Sequence, residues 1–144
     1  MLYHPDSKIR CSHCGEGALT LHYWEAYFEL NERIGPDHLL RFTSGFRCWE
    51  WNRLCGSTDK SYHPLGRAGD LTCDTLAVED LYAAAQDVER FKGLGIYPNE
   101  NFIHTDDRDE SARFGYFTTW NEEGEKTRTK MSWEELDRYI IEWP

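Results

Sequence analysis

Residues 61–73 read SYHPLGRAGDLTC. Pro64, Gly66 and Gly69 argue against a helix here, because proline removes a backbone donor and glycine is a poor helix former. The run reads instead as a turn passing into a strand, with RAGDLTC at 67–73 as the alternating part. His63 then lies in the turn and Asp70 projects from the strand. Imidazole nitrogen and carboxylate oxygen are both zinc donors, and three protein ligands suffice for a site that keeps one position open. A third donor has to come from a distant segment lying alongside. FIHTDDR at 102–108 is the obvious source. In an extended chain His104 and Asp106 share a face with Phe102, whereas Ile103 and Thr105 point away. Spacing alone leaves two readings open, a metal site or a decorated turn.

The flanking segments supply the rest of the fold. LTLHYWEAYFELNERI at 19–34 carries apolar residues at helical spacing, with Trp24, Phe28 and the neighbouring Tyr27 on one side. A helix is predicted from about 22 to 34, stopped by Gly35-Pro36. Residues 39–43 read as a short strand and CWEWNRLCG as a short helix ended by Gly56. The span from Asp74 to Lys92 is predicted to be a helix, with Leu81, Ala84, Ala85, Val88 and Phe91 at helical spacing and Gly93 and Gly95 ending it. IYP and NFIHTD follow as extended pieces, then RFGYFTTW as a strand and a polar turn at 121–130. SWEELDRYIIEW closes the chain as a helix with Ser132 and Glu135 spaced as a capping box. Its stripe of Trp133, Leu136, Tyr139, Ile140 and Trp143 reads as core. No nucleotide fingerprint appears. The expected class is α+β with a mainly antiparallel sheet flanked by helices.

The chain has 144 residues, enough for one domain with its own core. Its formal net charge is −10, which argues against nucleic-acid binding and against docking on an anionic membrane face. No apolar run approaches the ~20 residues that span a bilayer. The opening MLYHPDSKIRC lacks a basic segment followed by an apolar one, so synthesis in the cytoplasm without a signal peptide is expected. The cysteine count is five, an odd number that does not suggest a disulfide framework. Cys11-Ser-His-Cys14-Gly looks like half of a zinc knuckle. No second such pair exists, and Cys48 and Cys55 can complete it only if the fold brings them close; otherwise these are small buried thiols. Residues 1–18 read as an irregular arm.

Three ordered motifs then carry a resemblance. TSGFRCWEWN at 43–52, SYHPLGRAGDL at 61–71 and GLGIYPNENFIHTDDR at 93–108 together resemble the M15 zinc peptidases. These are D-Ala-D-Ala carboxypeptidases and L-alanyl-D-glutamate endopeptidases acting on peptidoglycan stem peptides. The likeness is to the small branch with phage lysis or tail proteins and periplasmic murein endopeptidases, and the RCSHCGEG arm also looks like the start of some phage members. The resemblance covers roughly residues 8 to 117. It implies the small α+β fold shared with the hedgehog signalling domain. It implies zinc held by His63, Asp70 and His104, Arg47 on a substrate carboxylate, and Ser61 hydrogen-bonding substrate or intermediate. A guanidinium pairs bidentately with a carboxylate, which suits that role for Arg47; a surface ion pair is its structural alternative, and turn capping is that of Ser61. The implied chemistry is metal-assisted hydrolysis of a stem peptide, with a carboxylate moving the proton from water to the leaving amine.

One departure matters. Many members place a Glu or Asp three residues before the last histidine, where this chain has Asn101. Asp106 is the best replacement as general base, because it shares the face of His104; it can instead orient a ligand histidine. Glu100 and Asp107 are weaker candidates. Cys55 stands where many relatives have glycine. The implied protein is a monomeric phage or prophage lysis or tail protein, with no nucleic-acid or stable membrane partner, acting on the cell wall after release or within a virion. A zinc-containing binding module of the same fold is the alternative, as is a structural zinc protein with the arm cysteines as ligands.

Overall fold

A computed structural model describes residues 8–140, apart from 16, 18 and 59. The expectations for the first seven residues and for Trp143 lie outside the described residues. Helix α1 spans Leu21–Ile34, capped by the Thr20 side chain on the Tyr23 amide and stopped at Gly35. Strand β1, Leu40–Ser44, leads to a one-and-a-half-turn helix α2, Trp49–Leu54. A 3-10 turn at His63–Leu65 runs into β2, Ala68–Cys73. Then come α3 (Val78–Gln86), β3 (Gly93–Tyr97), β4 (Phe102–Asp106), β5 (Ala112–Trp120), β6 (Lys126–Lys130) and α4 (Trp133–Asp137). The strands form one sheet in the order β1-β2-β4-β3-β5-β6, antiparallel except for the β3–β5 pair. The class is α+β, as expected.

Helices α1 and α3 cover one face of the sheet and bury the core. On α1 the buried apolar residues are Tyr23, Ala26, Tyr27 and Leu30. That apolar stripe is rotated from the Trp24–Phe28 side expected from the sequence. Trp24 and Phe28 stack on each other at its flank, and Phe28 is exposed. On α3, Leu81 and Ala85 are buried as expected. The helix stops earlier, at Gln86. Val88 and Phe91 enter the core from the turn that follows it.

Gly93 and Gly95 do not end a helix. They lie inside β3, opposite Asp106 and His104 of β4. A Cβ on Gly93 would lie 2.1 Å from an Asp106 carboxylate oxygen, and one on Gly95 would lie 2.1 Å from the Phe114 ring. These glycines make room for side chains from neighbouring strands, a reason that local spacing does not reveal. Residues 126–130 likewise form β6 rather than a turn: every residue of KTRTK is exposed, so no apolar alternation marks the strand. The Ser132–Glu135 capping box is present, Leu136 is buried and Trp133 is exposed. No described helix is long and apolar enough to cross a membrane.

Gly69 faces the core side of β2. A Cβ there would meet the Tyr23 hydroxyl at 2.3 Å and the Phe42 ring at 2.7 Å. That hydroxyl hydrogen-bonds Thr105, whose own hydroxyl donates to the Gly69 carbonyl at 2.7 Å. Gly69→Ala is expected to cost about 1–3 kcal/mol by overpacking, read as a lowered denaturant midpoint with an unchanged slope.

A candidate metal centre at the β2–β4 junction

Asp70 and His104 are direct cross-strand partners on β2 and β4. The 3-10 turn before β2 places His63 beside them. Donor atoms of His63, Asp70 and His104 lie within 4.8 Å of one another. His63 Nε2 is 3.5 Å, and His104 Nδ1 3.0 Å, from Asp70 Oδ1. Donors about 2.0–2.1 Å from one tetrahedral zinc stand about 3.4 Å apart, so this set fits. The remaining ring nitrogens are held elsewhere. His63 Nδ1 donates to the Gly45 carbonyl at 2.7 Å, and His104 Nε2 donates to Asp106 Oδ2 at 2.7 Å. Each acceptor leaves the other nitrogen's lone pair aimed at the shared point.

The β4 alternation holds: Ile103 and Thr105 are buried in the core, whereas Phe102 and His104 line the cleft. Asp106 is fully buried and accepts from His104, from the Arg108 amide, and from Arg108 Nε and a terminal nitrogen at 2.8 and 2.6 Å. An ionised carboxylate has about four lone-pair positions, and all are taken. Burial pushes the Asp106 carboxyl pKa up, but Arg108 and His104 outweigh it and hold it well below the usual range. Asp70 behaves alike: His63 and His104 outweigh its burial and keep it ionised.

The other sequence candidates are also placed. Arg47 donates to Asp70 Oδ2 at 3.2 Å, to Ser44 and Ser57 at 3.2 and 3.1 Å, and to Asn52 at 3.4 Å. It lines the cleft, with one terminal nitrogen on Asp70 and its other donors on Ser44, Ser57 and Asn52. Ser61 also lines the cleft, and its hydroxyl oxygen accepts from the His63 amide at 3.3 Å. Asn101 has φ 57, a left-handed conformation that asparagine tolerates and glutamate does not favour. Its carbonyl accepts from Thr72 at 2.7 Å. Glu100 is bound by Lys126 and Arg128, and Asp107 by His22 and Arg67, so neither is directed at the cluster.

Sequence reasoning missed the cleft's charge. The cleft holds about 460 Å³ and is lined by Arg47, Lys60, Arg108 and Arg128, with Asp70 as the one carboxylate among the described lining residues. Tyr97 and Phe102, stacked with centroids 4.3 Å apart, form an apolar wall. A neighbouring cleft of about 560 Å³ shares Arg47, Ser57, Asp70, Phe102 and Arg128, so the groove continues past the cluster. A chain of charge −10 thus lines the groove around its donor set with basic side chains, of which Arg47, Arg108 and Arg128 also pair with Asp70, Asp106 and Glu100. These cations are scattered in sequence and converge only in the fold.

Burial lowers the His104 pKa, but Asp106 and Asp70 outweigh it and raise it to about 9. The ring of metal-free protein is therefore expected to titrate near pH 9 by histidine NMR, and zinc is expected to abolish that titration by displacing the proton from Nδ1. Because the folded value lies above the unperturbed 6.5, this pair stabilises metal-free protein fully below about pH 6.5. That contribution is lost as pH rises through about 9. A ring titrating near 6.5 would contradict the geometry.

A largely buried His–Asp–His set that opens on a groove offers three donors and leaves a further position accessible, the pattern of an open metal site rather than of a closed structural one. The profile of the family described as Peptidase M15 matches residues 18–106, more than half of the sequence. The chain belongs to that peptidase family. It is 31% identical over 88 residues to the peptidoglycan L,D-endopeptidase MepK of Escherichia coli K12, covering 58% of this chain and 48% of that protein. The MepK of Shigella flexneri matches with the same figures. The chain thus spans about half the length of the curated relatives it matches. No solved structure matches.

Proposed function

We propose that this chain is a zinc-dependent peptidase hydrolysing peptidoglycan stem peptides. The observation that carries the reading is the convergence of His63, Asp70 and His104 beneath a cationic groove. Zinc held by those three residues would activate a water molecule and polarise a peptide carbonyl. Arg47 and the Gly45 carbonyl orient Asp70 and His63, and Asp106 orients His104. The groove's cations attract a substrate bearing free carboxylates, as stem peptides do. Ser61 has its hydroxyl proton to donate to a substrate oxygen. The groove's continuation past the cluster favours an endopeptidase over a carboxypeptidase, in line with the relatives' printed activity. We place the chain as one peptidase domain, with 118–144 as an extension, in a phage or prophage lysis or tail protein; this origin rests on the motif resemblance.

A second reading is a binding module that keeps the zinc. The lack of a second carboxylate among the described residues lining the cleft over the cluster favours it. Purified zinc-loaded chain incubated with a muropeptide digest separates the two. Cleavage within the stem peptide, abolished by chelator and restored by zinc, is the expected result. Peptide bound without cleavage would establish the module.

A further inference from the structure

The arm cysteines form a second cluster that the His63–Asp70–His104 centre does not use. The sulfurs of Cys11, Cys14 and Cys48 lie within 4.8 Å of one another. Cys48, far away in sequence, is brought there as the cap of α2, whereas Cys55 is not in the cluster. The Cys11 and Cys48 sulfurs are 3.7 Å apart, and His13 Nδ1 is 3.6 Å from the Cys48 sulfur. Two thiolates on tetrahedral zinc stand about 3.8 Å apart, and a thiolate and an imidazole about 3.5 Å. A disulfide would need ~2.05 Å, and none of the five cysteines forms one.

The surroundings are built for thiolates. The Cys48 amide donates to the Cys11 sulfur and the Trp51 amide to the Cys48 sulfur, each at 3.4 Å. Gly15, at φ 74, closes the knuckle turn, with its amide on the Cys11 carbonyl at 2.9 Å. The His13 ring lies parallel to that of Trp51, with 4° between the planes and 5.9 Å between the centroids.

We propose that Cys11, Cys14 and Cys48 bind a second, structural zinc ion, with His13, whose Nδ1 now reaches only the Cys48 sulfur, turning in as the fourth ligand on binding. Each thiol gives up its proton to solvent on binding. The ion ties the arm to the segment between β1 and α2. There Ile9 accepts from the Phe46 amide at 2.9 Å and packs on Gly45, where a Cβ would come within 2.6 Å of its carbonyl oxygen. Gly45 is the residue that holds His63, so the arm buttresses the catalytic centre from behind.

The test is zinc content and cobalt spectroscopy on the full chain. Wild type is expected to bind two zinc ions and His63→Ala one. Cobalt-loaded His63→Ala is expected to show the thiolate-to-cobalt charge-transfer absorption of a tetrahedral sulfur site. Adding Cys14→Ser is expected to weaken cobalt binding at least about tenfold, and His13→Ala to weaken it less. The His63→Ala spectrum alone decides the matter if the cysteine variant fails to fold. One zinc in wild type with no thiolate band, or a Cys11–Cys48 disulfide in non-reducing mass spectrometry, would overturn the second site. Neither result bears on the first centre, whose failure shows instead as His63→Ala retaining wild-type zinc and cleavage.

Discussion

His63→Ala is expected to remove one zinc ion per chain and to lower stem-peptide hydrolysis by about 10³-fold or more. The His63 ring is buried and locked by the Gly45 carbonyl at 2.7 Å, with its other nitrogen 3.5 Å from Asp70 Oδ1. Alanine leaves Asp70 and His104 as the remaining donors, too few for a tight tetrahedral centre. Asp70 keeps its bonds to His104 and Arg47, so the charge is not orphaned and the fold is expected to survive. Metal analysis, far-UV circular dichroism and a muropeptide assay on the same preparation check all three statements. Unchanged zinc and unchanged cleavage would remove His63 from the centre.

Asp106→Asn is expected to weaken zinc binding by about 10–100-fold, with activity recovered in excess zinc. Asp106 shares all its lone-pair positions between His104 and Arg108, so it acts by fixing the His104 tautomer and strengthening that ring as a donor. Asparagine loses the charge and one acceptor oxygen. The NMR titration of metal-free His104 is then expected to move down from about 9, because its largest raising contact is lost. A general base would behave differently: zinc bound at normal affinity, kcat lost, and no rescue by added zinc. That pattern would return Asp106 to the role its position two residues after His104 first suggested.

The two roles of Asp106 show where sequence reasoning stops. Period-two alternation places His104 and Asp106 on one face of β4, and this is legible locally because each side chain's direction follows from the strand itself. Whether Asp106 meets water or a guanidinium depends on how the segment after β4 folds back, and Arg108 closes it off. Asn101 is similar. In the sequence it looks like a lost carboxylate, whereas in the fold it occupies a left-handed turn position before β4.

By itself the sequence determined the α+β class, the turn-to-strand character of residues 61–73, the shared face of β4 and the cap of α4. Each of these follows from interactions within a few residues: proline and glycine geometry, strand alternation and a Ser–Glu box. Only the tertiary structure decided that Gly93 and Gly95 make room for Asp106 and Phe114, and that Cys48 joins Cys11 and Cys14. It alone gathered a cationic groove on a chain of charge −10. The physical reason is the same throughout. A clash, a ligand set or a local field depends on distances between residues remote in sequence, and only strand pairing and packing set those distances.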